Sequence, residues 1–232
     1  MSDFQTFIAD RVSEVDNQNS RTESYIRGAT IRALKEVSSV RCLLREASFS
    51  FTTEPERQAY TAGYPGFAVD ISQILVVYFP TANGSARRMI ERTPLEEVRR
   101  SGLWQTIANP QRYCWHADSL LLGPIPSGAI AINVDYQRDA LRDSATGNLI
   151  TTTSTTATNP WFDRGEFILR ALVLRDYHMS ISNDLVKAQS LGQLAAEGMA
   201  TLKNDFQSLG TSSAQAPGYF EERWDDFFRV VF

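Results

Sequence analysis

The hydrophobic period of this chain changes twice, and the two changes set what it can fold into. Apolar residues recur at helical spacing from Phe4 to Leu44, alternate from Ala47 to Tyr136, and return to helical spacing from Phe167 onward. A helix repeats every 3.6 residues and a strand every two, so a segment patterned for one buries no continuous face in the other. The order is therefore helices, strands, helices.

Within the first segment, Ser2 with Gln5 reads as a capping box, followed by Phe4, Phe7, Ile8, Val12 and Val15. The run 16–19 breaks the pattern. Ser20 with Glu23 reads as a second capping box, and Tyr25, Ile26, Ala29, Ala33, Leu34, Val37 and Leu44 form one broad face. A link this short predicts an antiparallel helical hairpin. Alternation then predicts strands around Phe49–Phe51, over 59–61, over 71–79 and over 113–116, 119–122 and 129–136. Between them, Thr93 with Pro94 and Glu96 predicts a short helix that Gly102 ends. The threonine-rich run 149–158 predicts an extended hairpin or projecting arm. In the last third, Asn159-Pro160 or Asp163 with Glu166 starts a helix with Phe167, Ile168, Ala171, Leu172, Leu174 and Tyr177 inward. Ser182 or Asn183 caps its long partner, with Leu185, Ala188, Leu191, Ala195, Leu202 and Phe206 inward.

The expected fold class is α+β, with N- and C-terminal helices packed as a bundle, a strand-rich insertion between them and a C-terminal extension. The expected divisions are a helical hairpin over 1–45, a β-rich region with a projecting hairpin over 46–158, helices completing the bundle over 159–208, and a linker with an aromatic tail over 209–232.

At 232 residues with 43% apolar side chains, the chain is long enough for a sizeable core. Its net charge of −4 argues against a protein that coats DNA, which needs a basic surface to neutralise phosphates. No apolar run reaches the length that spans a bilayer, and the N-terminus has no cationic region followed by an apolar one, so a soluble protein is expected. Cys42 and Cys114 stand far apart without metal spacing and read as buried, reduced thiols.

No combination of residues assembles a recognisable catalytic centre. Cys114 and His116 fall on one face of a strand, an arrangement a thiol nucleophile could use, but a core cysteine beside a surface histidine has the same pattern. His178 near a helix C-terminus offsets the dipole. Asp135 and Asp139 flank Tyr136 and could act as acid and base, though aspartates near strand ends are usually solvated. The turn Gly63-Tyr64-Pro65-Gly66 lacks the helix and lysine of a phosphate loop. No cofactor and no metal ligand set is read.

Two features instead suggest contact surfaces. Arg87, Arg88, Arg92, Arg99, Arg100 and Arg112 outnumber Glu91, Glu96 and Glu97, which fits either a solvated face with salt bridges, a subunit interface or local DNA contact. The tail carries Tyr219, Phe220, Trp224, Phe227, Phe228 and Phe232 interleaved with Glu221, Glu222, Asp225 and Asp226. It either folds onto its own core or docks onto another subunit or partner, where aromatic anchors dominate binding.

The stretch Asn109-Pro110-Gln111-Arg112-Tyr113, then Leu120-Leu121-Leu122-Gly123-Pro124-Ile125-Pro126 and Ile132-Asn133-Val134-Asp135-Tyr136, resembles the β portion of bacteriophage head-to-tail adaptor (connector) proteins. The run Thr158-Asn159-Pro160-Trp161 leading to Phe167-Ile168-Leu169-Arg170-Ala171-Leu172 is similar to the segment that enters their C-terminal helices, and the opening helix pair resembles their bundle. The resemblance is to the tail tubular protein A-like group of short-tailed phages and covers about residues 1–208. It implies a structural virion protein without enzymatic activity, assembled in the host cytoplasm into a ring of twelve copies at the neck. Its partners would be further copies of itself, the portal protein and a tail or nozzle protein. DNA would pass through the channel without sequence-specific binding, and no membrane is involved. The tail has no counterpart in these motifs. Competing expectations are another neck protein, for head completion or tail termination, and a carbohydrate-binding or hydrolysing β module built around Trp115 and Asp135.

Overall fold

The computed structural model describes residues 3–15, 20–40, 42–80 and 88–210, with the side chains of 20, 43, 99, 103 and 205–210 excepted. The chain divides into two compact units, one made of residues 1–45 and 140–232, the other of 46–139.

The second unit is a curled sheet. It contains β1 (Glu46–Thr52), β2 (Ala59–Thr61), β3 (Ile71–Phe79), β4 (Arg88–Arg92), β5 (Ile107–Ala108), β6 (Arg112–His116), β7 (Ser119–Gly123), β8 (Ile125–Pro126) and β9 (Ala131–Arg138), with one short helix, α3 (Leu95–Arg100). Seven strands form one sheet in the order β1-β9-β3-β4-β6-β7-β2, while β5 and β8 pair separately. β9 runs antiparallel to β1 without interruption from Glu46↔Gln137 to Thr52↔Ala131. Its pairing with β3 carries two irregularities, between Ile71 and Gln73 and between Ile74 and Val76. Such bulges bend a sheet and increase its twist.

Alternation aims one side of each strand inward. Ile132 and Val134 of β9, Val77 of β3, Ile90 of β4, Tyr113 of β6 and Leu120 and Leu122 of β7 are buried in one cluster. The rings of Phe49, Phe51, Tyr60, Tyr64 and Phe67 pack at its β1 end, mostly edge to face. The loop 63–67 lies along the outer edge of β1. Tyr64 donates to the Thr52 carbonyl at 2.6 Å, and Gly66, with φ of 77°, sits so close that a Cβ there would approach the Ser50 carbonyl at 3.0 Å. Covering an edge strand in this way removes a template for unwanted pairing.

The first unit contains α1 (Phe4–Ser13), α2 (Ser20–Ser38), α4 (Glu166–Ser180) and α5 (Leu185–Gly210). Its core gathers Phe4, Phe7 and Ile8 of α1, Ile26, Leu34 and Val37 of α2, Leu169, Leu172 and Val173 of α4, and Ala195 and Leu202 of α5. Trp161 and Phe162, on a 3-10 turn before α4, are buried among them, and Phe162 meets Phe4 at 5.6 Å and Phe7 at 5.5 Å. Gly165 is required there, since a Cβ would fall 2.3 Å from the Trp161 ring. Ion pairs bind the helices at their rims. Arg11, almost fully buried, reaches Glu14 and Glu166 at 3.0 Å each, and Arg170 reaches Glu14 at 2.9 Å.

The expected α+β class, a helical bundle with a strand-rich insertion, is corrected. The protein is mixed α/β, and a seven-stranded curled sheet with its own core, not a flanking bundle, dominates the architecture. The difference comes from β4. It lies in the arginine-rich stretch, too polar to read as a strand, yet it pairs antiparallel with β3 and parallel with β6 and so joins the strands into one sheet.

The expected threonine-rich arm is also corrected. Residues 149–158 form turns, with isolated bridges from Leu149 to Arg142 and from Thr158 to Asp3. Their carbonyls serve the start of α1: the Phe4 amide donates to Ala157 and the Gln5 amide to Thr155. The amides of a first helical turn have no partner within the helix, and this stretch supplies one. Asp143 fastens it, accepting from the Ala145 amide, the Thr146 hydroxyl, and both the amide and the hydroxyl of Thr158.

Several caps differ from expectation. Asp3, not Ser2, caps α1 by accepting from Thr6 at 2.7 Å. Pro94, not Thr93, precedes α3: its carbonyl accepts from the Glu97 and Val98 amides, while Thr93 still pairs with β6 through its amide and the Tyr113 carbonyl. Asn159 caps the 3-10 turn, while α4 itself begins after Gly165. Asp184 caps α5 by accepting from Lys187 at 3.0 Å, and Asn183 takes a left-handed conformation, φ 52°. Leu185, expected inward, is exposed. Among the described residues no helix is long and apolar enough to cross a membrane.

Two outcomes follow from this packing. Phe162→Ala leaves a cavity beside the Phe4 and Phe7 rings and destabilises by about 3–5 kcal/mol in urea unfolding. Asp143 behaves differently: burial alone would raise its pKa, but its donors outweigh burial and hold it below 3.8. Its contribution is therefore full above the unfolded value and is lost as pH falls through the lower folded one. Asp143→Ala costs about 1–3 kcal/mol at neutral pH, and the gap to the unaltered chain narrows under strong acid in the same urea titration.

Candidate functional site

The arginine-rich sector is built on β4 and its neighbours. Strand alternation puts Arg88, Ile90 and Arg92 on one side of β4. Ile90 is buried in the sheet core, and the two arginines flanking it stay exposed. Arg88 lies over the Phe79 ring at 5.5 Å, its register neighbour on β3. Met89, on the opposite side, is 56% exposed. Across the β4–β6 register, Arg112 lies 3.9 Å from Glu91 and also contacts Glu97 of α3.

Arg92 of β4 and Arg100 of α3 are exposed. Arg27, Arg32, Arg57, Arg170 and Arg175 each hold a carboxylate at 3.0 Å or less. Among the described residues, Arg88, Arg92 and Arg100 hold none. Arg87 lies outside the described residues, as does the side chain of Arg99.

A second surface is the turn between α4 and α5. Met179, Ile181, Leu185 and Val186 are 49%, 43%, 66% and 80% exposed, close together in the chain. The charges beside them are internally satisfied. Asp184 pairs with Lys187, and the His178 ring meets the Ser182 hydroxyl at 2.8 Å through Nδ1. His178 is thus a terminal residue of α4 held in its own turn. These exposed apolar side chains at a hairpin tip serve no core of their own. The sequence hid them, because Leu185 fits the helical period and reads as inward.

The chemical candidates are not brought together. Cys114 is buried on β6, and burial pushes its thiol up, the reverse of what a nucleophile needs. His116, two residues on, is exposed and pairs in register with Ser119. Asp135 accepts from the Tyr78 hydroxyl at 3.4 Å, while Asp139 is anchored through its amide to the Asp70 carbonyl. The Gly63–Gly66 turn serves the β1 edge. Among the described residues no group of three or more histidines, cysteines or carboxylates is placed to hold a metal. The aromatic tail, with Tyr219, Phe220, Trp224, Phe227, Phe228 and Phe232, lies outside the described residues.

Asp70 is the acidic residue that sequence reasoning missed. It is buried, accepts from the Tyr136 hydroxyl at 2.9 Å and lies 3.6 Å from Arg138. Burial raises the Asp70 carboxyl and outweighs the lowering by Tyr136 and Arg138. Burial also raises the Tyr136 hydroxyl, with the Asp70 charge adding to it. Nothing in the local sequence signals the pair, since Asp70 precedes β3 and Tyr136 sits far along on β9.

The chain matches no protein-family model and no curated protein.

The Asp70 shift fixes a sign. A carboxyl whose folded pKa lies above its unfolded 3.8 makes the folded state bind more protons, so its effect on stability becomes less favourable as pH rises through that interval. Asp70→Asn keeps an acceptor for Tyr136 and removes this titration. Urea midpoints from pH 3 to 7 should show the unaltered chain losing stability with rising pH relative to the variant; parallel curves would contradict the assignment.

Proposed function

We propose that this chain is a structural virion protein, a head-to-tail adaptor that forms a ring between the portal and the tail of a bacteriophage and lets DNA pass. The observation that carries the reading is the exposed apolar tip of the α4–α5 hairpin, which gives the protein a surface suited to a neighbouring protein. Arg88 and Arg92 of β4 and Arg100 of α3, exposed and without a carboxylate partner among the described residues, support a second contact surface. The adaptor assignment itself draws on the resemblance of residues 109–136 and 158–172 to that family. Self-association, the portal and a tail or nozzle protein are the proposed partners, and the neck of the virion is the proposed location. The twelve-fold ring is what the resemblance implies.

Negative-stain images of the purified chain, alone and mixed with a portal protein, test the reading: rings or portal-bound collars are expected, and a chain that stays monomeric and never binds a portal would sink it. Leu185→Asp with Val186→Asp separates surface from core. Both side chains are exposed, so the thermal midpoint should stay within about 2–4 °C of the unaltered value. Assembly, read by light scattering, should weaken roughly tenfold or more.

A further inference from the structure

We infer that residues 57–67 form a strap that closes both edges of the seven-stranded sheet and keeps β1 from pairing with β1 of a second copy. This guarded contact is separate from the adaptor reading and does not rest on it.

A sheet that does not close on itself ends in two strands with outward backbone groups, and each is a template for another chain. The end strands of this sheet are β1 and β2. Just before β2, the Gln58 carbonyl accepts from Leu122 of β7, so alternation turns the carbonyls of Ala59 and Thr61 outward. Both are taken within the strap. Arg57 donates through Nε to Ala59 at 3.1 Å, and the Tyr64 amide donates to Thr61 at 2.8 Å. On β1, the Tyr64 hydroxyl donates to the Thr52 carbonyl, and Gly66 lies against the Ser50 carbonyl. The Phe67 ring packs on Phe49 at 4.9 Å and on Phe51 at 5.5 Å. Tyr64 thus serves both edges, with its amide on β2 and its hydroxyl on β1.

The two edges are unequal. β2 has 3 residues, a short edge that offers little to a second strand, whereas β1 has 7. The run 47–53 holds no charge and no proline, and Phe49 and Phe51 alternate with the exposed Ser48, Ser50 and Thr52. Uncharged, proline-free segments with this alternation are the ones through which sheets extend. β1 also matches itself. An antiparallel pair centred on Ser50 sets Phe49 beside Phe51 of the other copy and Ser48 beside Thr52, so rings meet rings and hydroxyls meet hydroxyls. Such a contact is isologous and closes on a two-fold axis. That self-match names a second copy as the occupant the strap excludes.

Cysteine cross-linking on the full chain tests the strap. Ser50 is exposed, and a pair centred there brings the two copies of position 50 face to face, within disulfide reach. Cys42 and Cys114 are buried, so the unaltered chain sets the unlinked baseline. With diamide as oxidant and a non-reducing gel as readout, the Ser50→Cys chain should stay unlinked. Two further changes loosen the strap. Tyr64→Phe removes the hydroxyl donor and keeps the ring, and Gly66→Val cannot hold the left-handed backbone so close to Ser50. Together they should speed formation of the linked dimer roughly tenfold or more. Ser48→Cys in the same loosened chain should link several times more slowly, because its counterpart across the pair is Thr52. The inference is overturned if loosening leaves the rate unchanged, or if Ser50→Cys links as fast with the strap intact. It is overturned equally if Ser48→Cys links as readily as Ser50→Cys, the mark of random encounter or unfolding. If Gly66→Val prevents folding, Tyr64→Phe alone decides: a severalfold rise supports the strap and an unchanged rate overturns it. Rings and portal-bound collars bear on the adaptor reading alone.

Discussion

The sheet of this protein depends on β4, a strand with a single buried side chain. Ile90 is its only inward apolar residue, and its neighbours are arginines, a methionine and a glutamate. Intrinsic strand preference does not hold such a segment in place. Backbone pairing does, antiparallel to β3 on one side and parallel to β6 on the other. Without it, β1, β9 and β3 would form one sheet and β6, β7 and β2 another, each with an exposed edge. The same position explains why the arginines stand where they do. A strand paired on both sides projects its side chains perpendicular to the sheet, so Arg88 and Arg92 leave β4 on the same side as Ile90, and both stay exposed where the core ends.

In the helical unit, order comes from groups that serve two elements at once. Arg11 touches a carboxylate on its own helix and another on α4, and Arg170 returns from α4 to Glu14. Asp143 ties 140–158 into a compact set of turns, and the carbonyls of those turns complete α1. Removing one partner from such a network leaves another buried polar group without its bond, which costs more than the bond itself contributes. Arg11 is the extreme case. Its guanidinium is nearly inaccessible, its Nε and Nη1 have no hydrogen-bond partner among the described residues, and it lies 5.0 Å from the Phe7 ring centre.

Much of the local structure was legible in the sequence. The helical period located α1, α2, α4 and α5, and alternation located β1, β3, β6, β7 and β9, because each of those elements buries a face with its own repeat. Three things were not legible, for physical reasons. β4 buries one residue and therefore has no repeat to detect. The run 149–158 has extended-chain composition, but its carbonyls are taken up by α1 and by Arg27, partners distant in sequence. Caps shifted by one or two positions, as at Asp3 and Asp184, because neighbouring residues compete for the same free amides and only the full geometry decides. Of the candidate site, the arginines were visible as composition. Their lack of carboxylate partners was not, since pairing depends on which acids the fold brings near. The exposed tip at Leu185 was read as core for the same reason.

The pairing of β1 with β9 also has a consequence in time. Phe49 and Phe51 belong to one of the first strands made, but their hydrogen-bonding partner is the last strand of the sheet. At about 5–20 residues per second, on the order of several seconds of synthesis separate the two. During that interval an apolar strand with no neighbour on either side is exposed to whatever else is in solution. Contacts so distant in sequence form late because loop closure must precede them. The loop at 63–67, made soon after β1 and packed against it through Tyr64 and Phe67, can shelter that strand until β9 arrives.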